Sequence, residues 1–312
     1  MNSQAATQCA LLCAVRAIVQ ACRMVWTPLT VYIADEAGLT LVEQAALLSG
    51  FPLGYMLTQV VGGVVSDRLG GKPAQSLTLA VFTGVMLSAS FAPLRALYWL
   101  YLLAGVFAGP QQPAYSTMVA AWFAQSEVGR VSAIADMATV SGEFFACVGG
   151  PLLADAIGWR GAFALIGGAT GVSLLLWLAL ARSQPPGAPP SSPRSPPPSP
   201  SRLRSAGMRK SLTALCYLPL WACIAQHMCF NGIKYMFSGW MPTYYAKAYG
   251  LSPGESAKYL GAAQLVGFAS QFGWTRVERW LLERAAGDDG HGHGHGDDAD
   301  DKPKPGGASH AA

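Results

Sequence analysis

The segment Gly62–Lys72 reads GGVVSDRLGGK, a short, charged, glycine-rich turn between two apolar runs. The run before it is Gln44–Val65 and the run after it is Ser76–Ala92. Each has a length close to the ~20 helical residues that cross the hydrocarbon core of a bilayer. The segment therefore predicts two membrane-spanning helices joined by a tight loop on one side of the membrane.

Comparable apolar runs occur along most of the chain. Hydrophobic residues make up 52% of the sequence and charged residues only 12%, whereas roughly a quarter of an ordinary soluble domain is charged. The sequence predicts an all-α, polytopic membrane protein with eight spans. The runs are Cys9–Ile33, Gln44–Val65, Ser76–Ala92, Leu97–Phe123, Val131–Ala154, Ala162–Ala181, Leu215–Tyr245 and Ser256–Trp274.

The lysines and arginines between these runs predict the orientation of the chain. If the N-terminus lies inside, twelve of them fall on the inner side: Arg68, Lys72, Arg130, Arg182, Arg194, Arg202, Arg204, Arg209, Lys210, Arg276, Arg279 and Arg284. Four fall on the outer side: Arg95, Arg160, Lys247 and Lys258. Because basic loops favour the cytoplasmic side, both termini are expected in the cytoplasm. The pattern suits a plasma membrane and a plastid or other organelle membrane equally.

Composition also predicts the division of the chain. Residues 1–182 would form a six-helix half, 183–211 a Pro/Ser-rich disordered cytoplasmic linker, 212–275 a two-helix partial half, and 276–312 a disordered Gly/His/Asp tail. The alternative to a passive linker is that its Ser-Pro sites are phosphorylated. Weak binding of a divalent metal is the alternative for His291, His293 and His295 in the tail. The cysteines lie in apolar runs without a CxxC pair, so no metal site is expected.

The segment Gly62–Lys72 resembles the major facilitator superfamily signature G-x-x-x-D-R-x-G-x-K, which occupies the loop after the second span. The matching residues, which form a conformational-switch loop in that family, are Gly63, Asp67, Arg68, Gly70 and Lys72. Gly63 is expected to allow close packing of neighbouring helices. Asp67 is expected to accept hydrogen bonds from a helix N-terminus or to pair with an arginine, while Arg68 and Lys72 keep the loop on the positive side.

Further motifs narrow the resemblance. They are Phe51-x-x-Gly54-Tyr55-x-x-Thr58-Gln59, Pro113-Ala114, Trp122, Glu127, Arg130, Gly158-Trp159-Arg160, Phe163, His227 and Trp240-Met241-Pro242-Thr243-Tyr244-Tyr245. Together they look like the anion:cation symporter family, and most like its plant and algal phosphate transporters. The resemblance runs from about Arg23 to about Gly273. It implies a complete N-terminal six-helix half, a C-terminal half with two of its helices, and a chain truncated after the eighth span.

Arg23 lies in the first span at the position where this family has a substrate-binding arginine. A buried arginine is costly in a membrane and is usually paired or faces a water-filled path. Its planar guanidinium suits phosphate or carboxylate, so anion binding and a structural ion pair both remain open. Tyr55 in the second span and Asn231 and Lys234 in the seventh are further candidates for the substrate site. Lys234 is expected either to bind the anion or to pair with an acid or reach the interface.

Three positions depart from the family pattern. Tyr101 and Ala108 occupy the places of an arginine and a glutamate in the fourth span. Leu48 occupies the place of a histidine found in vesicular glutamate transporters. Vesicular glutamate transport is therefore not expected, and a proton-coupling role of the missing glutamate is absent.

Two acids in the fifth span match two arginines in the first. Arg16 and Arg23 are seven residues apart, as are Asp136 and Glu143, so each pair shares one helix face. At 1.5 Å per residue, Arg16 and Asp136 lie about 10 Å deep, and Arg23 and Glu143 about 20 Å deep. The sequence predicts the pairs Arg16–Asp136 and Arg23–Glu143, with Glu143 as a protonatable gate that releases Arg23.

These observations favour a secondary active transporter of a phosphate-like or carboxylate anion, coupled to sodium or protons and working by alternating access. A truncated, non-transporting membrane protein and a sugar-phosphate exchanger of the same superfamily are the alternatives. The net charge of +4 is too small and scattered to indicate nucleic-acid binding. No nucleophile with a nearby base is evident, so neither an enzyme nor a cofactor is expected.

Overall fold

The computed structural model describes residues 3–185 and 217–289, and in these residues all regular secondary structure is helical. The all-α prediction is confirmed. The helices are α1 (Ser3–Met24), α2 (Trp26–Ala37), α3 (Leu41–Leu69), α4 (Gly71–Ala89), α5 (Leu94–Ala108), α6 (Gln111–Trp122), α7 (Gln125–Leu180), α8 (Leu218–Tyr249) and α9 (Pro253–Asp289).

Each of the eight apolar runs falls on this helical framework. The first run covers α1 and α2, which break at Val25, and the fourth covers α5 and α6, which break at Gly109 and Pro110. The fifth and sixth runs both lie in α7, where Gly158 has φ 75° and separates two helical parts. Left-handed backbone of this kind favours glycine, so the residue marks the turn between two spans.

Length and hydropathy alone identify fewer spans than the sequence analysis predicts. Among the described residues, two helical segments are long and apolar enough to cross a membrane, Ser3–Ala37 and Gln125–Leu180. A third qualifies if the two parts of the bent α3 count as one span. The break at Gly109 and Pro110 shortens α5 and α6, which have 15 and 12 residues. The total of eight spans stays a prediction.

The chain separates into two units, Met1–Phe268 and Ala269–Ala312. In the second unit, α9 continues to Asp289, so a helix occupies the first part of the segment assigned above to the tail. There the guanidinium of Arg284 lies 4.7 Å from the ring centre of Trp280. Most of the linker and the histidines His291, His293 and His295 lie outside the described residues.

The core of the first unit contains an aromatic cluster between α2, α3, α5 and α7. Trp26 is fully buried, stacks on Tyr101 with ring centres 4.5 Å apart, and meets Phe163 at 4.7 Å. Tyr101 also meets Phe51 at 5.3 Å. Aromatic pairs at these distances stabilise by about 0.5–1.5 kcal/mol beyond the area they bury. The cluster fixes the positions of the helices that surround the cavity described below.

Helix α3 starts at a reciprocal cap on the predicted outer side. The side chain of Thr40 accepts a hydrogen bond from the Glu43 backbone N–H at 3.3 Å, and the Glu43 carboxylate accepts from the Thr40 backbone N–H and hydroxyl at 2.8 Å each. The bond from the Thr40 backbone, followed by that from its hydroxyl, holds the pKa of Glu43 below its usual value. The cap satisfies donors that the first helical turn leaves free.

Glycines allow the helices around the loop Gly62–Lys72 to approach closely, but not at the predicted position. A Cβ added at Gly62 would lie 2.5 Å from the backbone carbon of Gly109 and 2.6 Å from the nitrogen of Pro110. A Cβ added at Gly63 would meet nothing within 4 Å. The sequence analysis was therefore wrong to assign close packing to Gly63. The two residues are about 100° apart around the helix, so only one of them faces α5 and α6.

Lys72 links the loop to the end of α7. Its Nζ donates to the backbone oxygens of Ala181 at 2.6 Å and Leu178 at 3.3 Å. Nearby, the indole nitrogen of Trp122 donates to the oxygen of Arg182 at 2.9 Å. A cation at a helix C-terminus satisfies free carbonyl groups and complements the helix dipole. Lys72 thus holds the sixth predicted span to the signature loop.

The remaining signature residues lie at the junction of α3 and α4. Asp67 and Arg68 are exposed on the last turn of α3. Gly70 has φ 85°, which is strained for residues with a Cβ, and it ends the helix. The structure thus explains Gly70 by its backbone conformation and Lys72 by its hydrogen bonds.

The substitution Gly62→Ala is expected to destabilise the protein by about 1–3 kcal/mol, because the new methyl group meets backbone atoms that cannot move aside. Gly63→Ala adds the same methyl group to open space, and alanine favours helix, so stability should be unchanged or slightly higher. Thermal unfolding of the purified proteins in detergent measures the difference. Equal melting temperatures for the two variants would contradict this packing.

The substitution Lys72→Met is expected to lower stability by about 1–2 kcal/mol, because it removes a charged donor from two helix-end carbonyl groups. Arg68→Met removes the same charge from an exposed side chain and serves as the matched control. Thermal unfolding and hydrogen exchange at the C-terminal end of α7 report the effect. A Lys72 variant that exchanges no faster there than the control would argue against the cap.

Candidate functional site

A cavity of about 970 Å³ lies between α1, α3, α7 and α8. Arg23 comes from α1, Tyr55 from α3, and Asn231 and Lys234 from α8, and all four line it. The structure therefore brings together the residues that the sequence analysis assigns to the substrate site. The signature-loop residues are not among those that line the cavity.

Arg16 and Asp136 also line this cavity and form the predicted ion pair. The Nη2 atom of Arg16 lies 2.8 Å from Oδ1 of Asp136. Its other nitrogens donate to Thr139 Oγ1 at 2.9 Å and to Gln112 Oε1 at 2.8 Å, and its guanidinium lies 4.5 Å from the ring centre of Tyr115. All the guanidinium nitrogens are thus in use, so Arg16 is neutralised and held in place.

Glu143 is buried behind the cavity wall and has three hydrogen-bond donors around it. Glu143 as a whole residue is 2% exposed. Oε2 accepts from Lys234 Nζ at 2.9 Å and from Gln20 Nε2 at 3.0 Å, while Oε1 accepts from Gln264 Nε2 at 2.9 Å. The donors come from α8, α1 and α9. Glu143 therefore connects α7 to three other helices.

The predicted pair of Arg23 with Glu143 is not formed, and the gate built on it is corrected with it. Glu143 lies 18 residues after the start of α7 at Gln125, and Gln20 lies 17 residues after the start of α1 at Ser3. Gln20 therefore lies close to the level of Glu143 and donates to it. Depth alone does not exclude Arg23, because Arg16 and Asp136 have the same offset from these helix starts and do pair. Arg23 is instead taken up by contacts with Tyr235, Phe51 and Tyr55.

Arg23 instead faces α3 and α8. Its Nη2 atom donates to the hydroxyl of Tyr235 at 3.2 Å, and its guanidinium lies 4.8 Å from the ring centre of Phe51 and 5.3 Å from that of Tyr55. Its Nε atom is buried without a hydrogen-bond partner. Among the described residues, no carboxylate lies within 4.0 Å of Arg23.

A second cavity of about 320 Å³ shares Arg23 with the first. Tyr101 and Leu48, two of the positions that depart from the family pattern, line it. The third, Ala108, is buried in α5. Arg23 is therefore accessible from two cavities. The smaller one has Tyr101 where the resemblance implies an arginine, and Leu48 where vesicular glutamate transporters have a histidine.

Three polar residues at the site were not predicted from the sequence. Gln20 follows Arg16 by four positions and so lies on the same helix face, a pattern that could have identified it. Gln264 is an amide within an apolar run, which in a membrane indicates a partner. Tyr235 follows Lys234 directly and has no distinguishing pattern.

The charges around the larger cavity are mostly balanced. Arg16 pairs with Asp136, and Lys234 pairs with Glu143. With His227 neutral, the described side chains that line the cavity or pair with its lining sum to one positive charge, which is on Arg23. The site offers a guanidinium, a phenol and an amide around a space large enough for a small solute.

Comparison with known proteins places this site in a family. The Major Facilitator Superfamily profile matches residues 12–286. The chloroplastic ascorbate transporter of Arabidopsis thaliana is 28% identical over 206 residues, which cover 63% of this chain and 38% of the relative. The chloroplastic sodium-dependent phosphate transport protein 1 of the same plant is 29% identical over 219 residues, covering 68% and 43%. The chain thus spans about two fifths of the length of these relatives.

The fold agrees with a solved structure. A bacterial homologue of the human lysosomal transporter Spinster, in an inward-facing and unoccupied conformation, superposes with a TM-score of 0.72 and 17% identity. The superposition covers 91% of this chain and 64% of that one. On the family match, which covers more than half of its residues, the chain belongs to the Major Facilitator Superfamily.

Proposed function

We propose that this chain binds a small anion at Arg23 and acts as part of an ion-coupled secondary transporter. One observation carries the proposal. Among the described arginines and lysines that line the larger cavity, Arg16 and Lys234 are each paired with a carboxylate, and Arg23 is not. A partly buried cation without a counter-ion is unfavourable in a membrane, so the site attracts an anion.

The surroundings of Arg23 favour an oxyanion. Its buried Nε donor is unpartnered, and Nε with an Nη nitrogen forms the fork that binds phosphate or carboxylate through two hydrogen bonds. The rings of Phe51 and Tyr55 support the guanidinium from one side. Asn231 and the Tyr55 hydroxyl supply further polar contacts on the cavity wall. Inorganic phosphate and small carboxylates fit this chemistry.

The relatives support the same class of solute, because one is named as a phosphate transporter and the other as a transporter of ascorbate, an organic anion. The coupling ion proposed is sodium or a proton. The family moves its solutes by alternating access, in which two helical halves rock around a central site. In the proposed arrangement, residues 1–182 form the first half, 212–275 supply two helices of the second, and 183–211 join them.

The decisive variant is Arg23→Gln, which removes the unpaired charge and keeps an amide. Loss of a buried charge-assisted hydrogen bond should weaken binding of inorganic phosphate on the order of a hundredfold. Arg95→Gln removes a positive charge from an exposed position at the start of α5 and serves as the control. Calorimetry on the purified chain in detergent measures affinity, and uptake of labelled phosphate by proteoliposomes measures transport.

The control is expected to bind and transport phosphate as the native chain does. Equal affinity in the Arg23 and Arg95 variants would overturn the assignment of Arg23. Binding that depends on Arg23 without any uptake would support the site and contradict transport by this chain alone.

The proposed orientation places both termini on the cytoplasmic side of the membrane. A fluorescent reporter that is active only in the cytoplasm is therefore expected to fluoresce when fused before residue 1. The same reporter inserted after Arg95, in a predicted outer loop, should remain dark. Fluorescence from the reporter at Arg95, with none from the reporter at the N-terminus, would show that the orientation is the opposite of the one proposed.

A further inference from the structure

The pair of Glu143 and Lys234 lies at the boundary between the cavity and the buried helix interface. The Lys234 side chain lines the cavity and is 35% exposed, whereas that of Glu143 is 3% exposed. The ammonium of Lys234 therefore faces both an anion in the cavity and a fixed carboxylate behind it. If Lys234 contacts an anion, the cavity presents its positive charge. If Lys234 pairs with Glu143, that charge is cancelled.

Glu143 is too firmly held to follow a moving lysine. Its two oxygens accept three hydrogen bonds, and the amides of Gln20 and Gln264 come from different helices. Both amides are uncharged, so Lys234 is the described cation within 4.0 Å of this carboxylate. If Lys234 turned towards an anion, the negative charge of Glu143 would stay buried without compensation, which is strongly unfavourable.

The other charged groups around the pair do not replace Lys234. On α1, Arg16 is engaged by Asp136, and Arg23 faces Tyr235. On α7, the buried side chain of Cys147 supplies no positive charge. On α8, His227 lines the same cavity. The pair is thus a closed, neutral unit, and the net charge of the cavity stays at +1.

We propose that the Glu143–Lys234 pair makes the cavity selective for a singly charged anion. It does so because Glu143 cancels the charge of Lys234 and leaves Arg23 as the single uncompensated cation. The inference rests on the proposed function and adds the charge class of its substrate: a monovalent oxyanion such as dihydrogen phosphate or a monocarboxylate. Glu143 acts on the solute through Lys234 and is a specificity-determining residue, not a ligand.

Electrostatics in a membrane favours this reading. A monoanion at Arg23 gives a neutral complex, whereas a dianion leaves one uncompensated charge at low dielectric. Phosphate and sulfate are tetrahedral oxyanions of similar size, so their comparison isolates charge. Both are measured with His227 replaced by asparagine in the native chain and in every variant, at one pH acidic enough that phosphate carries a single charge while sulfate carries two, so that protonation of an imidazole adds no charge to the cavity.

The test measures phosphate and sulfate binding to the purified full chain by calorimetry. The native protein is expected to prefer phosphate. Glu143→Gln raises the net charge of the cavity to +2 and should shift the preference towards sulfate on the order of tenfold. Lys234→Gln lowers it to zero and should weaken both anions. The double variant Glu143→Gln/Lys234→Gln restores +1 and should bind as the native chain does.

The double variant also separates this proposal from a direct role of Lys234 as an anion ligand, which would leave it as weak as Lys234→Gln. That result would overturn the proposal, as would a Glu143→Gln protein with unchanged preference. Should Glu143→Gln fail to fold, the comparison of Lys234→Gln with the double variant decides by the same criterion. A native chain that binds neither anion overturns both proposals, whereas phosphate binding that depends on Arg23 retains the proposed function whatever these variants show.

Discussion

The burial of one carboxylate organises this structure. Glu143 lies in the middle of a helix interface, where an uncompensated charge would be strongly unfavourable. Its compensation requires donors from three helices, and these come from Gln20, Lys234 and Gln264. The requirement therefore links α8 and the first part of α9 to α1 and α7, and it holds Lys234 at the cavity wall. The position of that lysine determines whether its charge is available to a solute in the cavity.

The arrangement of helices around Glu143 also depends on close approach between helix backbones. Gly142, the residue before Glu143, packs against the backbone of Ala17, and any side chain there would push α1 away from α7. Gly105 makes an equivalent contact with the backbone of Phe51 between α5 and α3. In lipid, where burial of apolar area gives little drive for helix association, such contacts and polar bonds provide the specificity. The small residues thus bring Gln20 within reach of Glu143.

The sequence predicts the helices and several of the residues that line the cavity, because span length and helix periodicity are local properties. The chain orientation that the charge asymmetry indicates stays a prediction. It also predicts the pairing of Arg16 with Asp136, since arginine is long enough to tolerate an error in register. It does not predict the partner of Glu143 or which of Gly62 and Gly63 packs. Both depend on the rotation and axial position of one helix relative to another, which only tertiary contacts set.

Tyr101 is an uncharged residue beside Arg23 at a position where the resemblance implies a charged one. Where the resemblance implies an arginine in the fourth span, this chain has a buried tyrosine that stacks on Trp26. Its hydroxyl donates to the backbone oxygen of Arg23 at 3.1 Å, close to the break between α1 and α2 at Val25. An arginine there would add a second positive charge beside the first, and the tyrosine instead positions the backbone that carries Arg23. With tyrosine at this position, Arg23 is the charged residue in the described lining of the smaller cavity, and the neutralisation of Lys234 leaves Arg23 as the uncompensated cation in the described lining of the larger one.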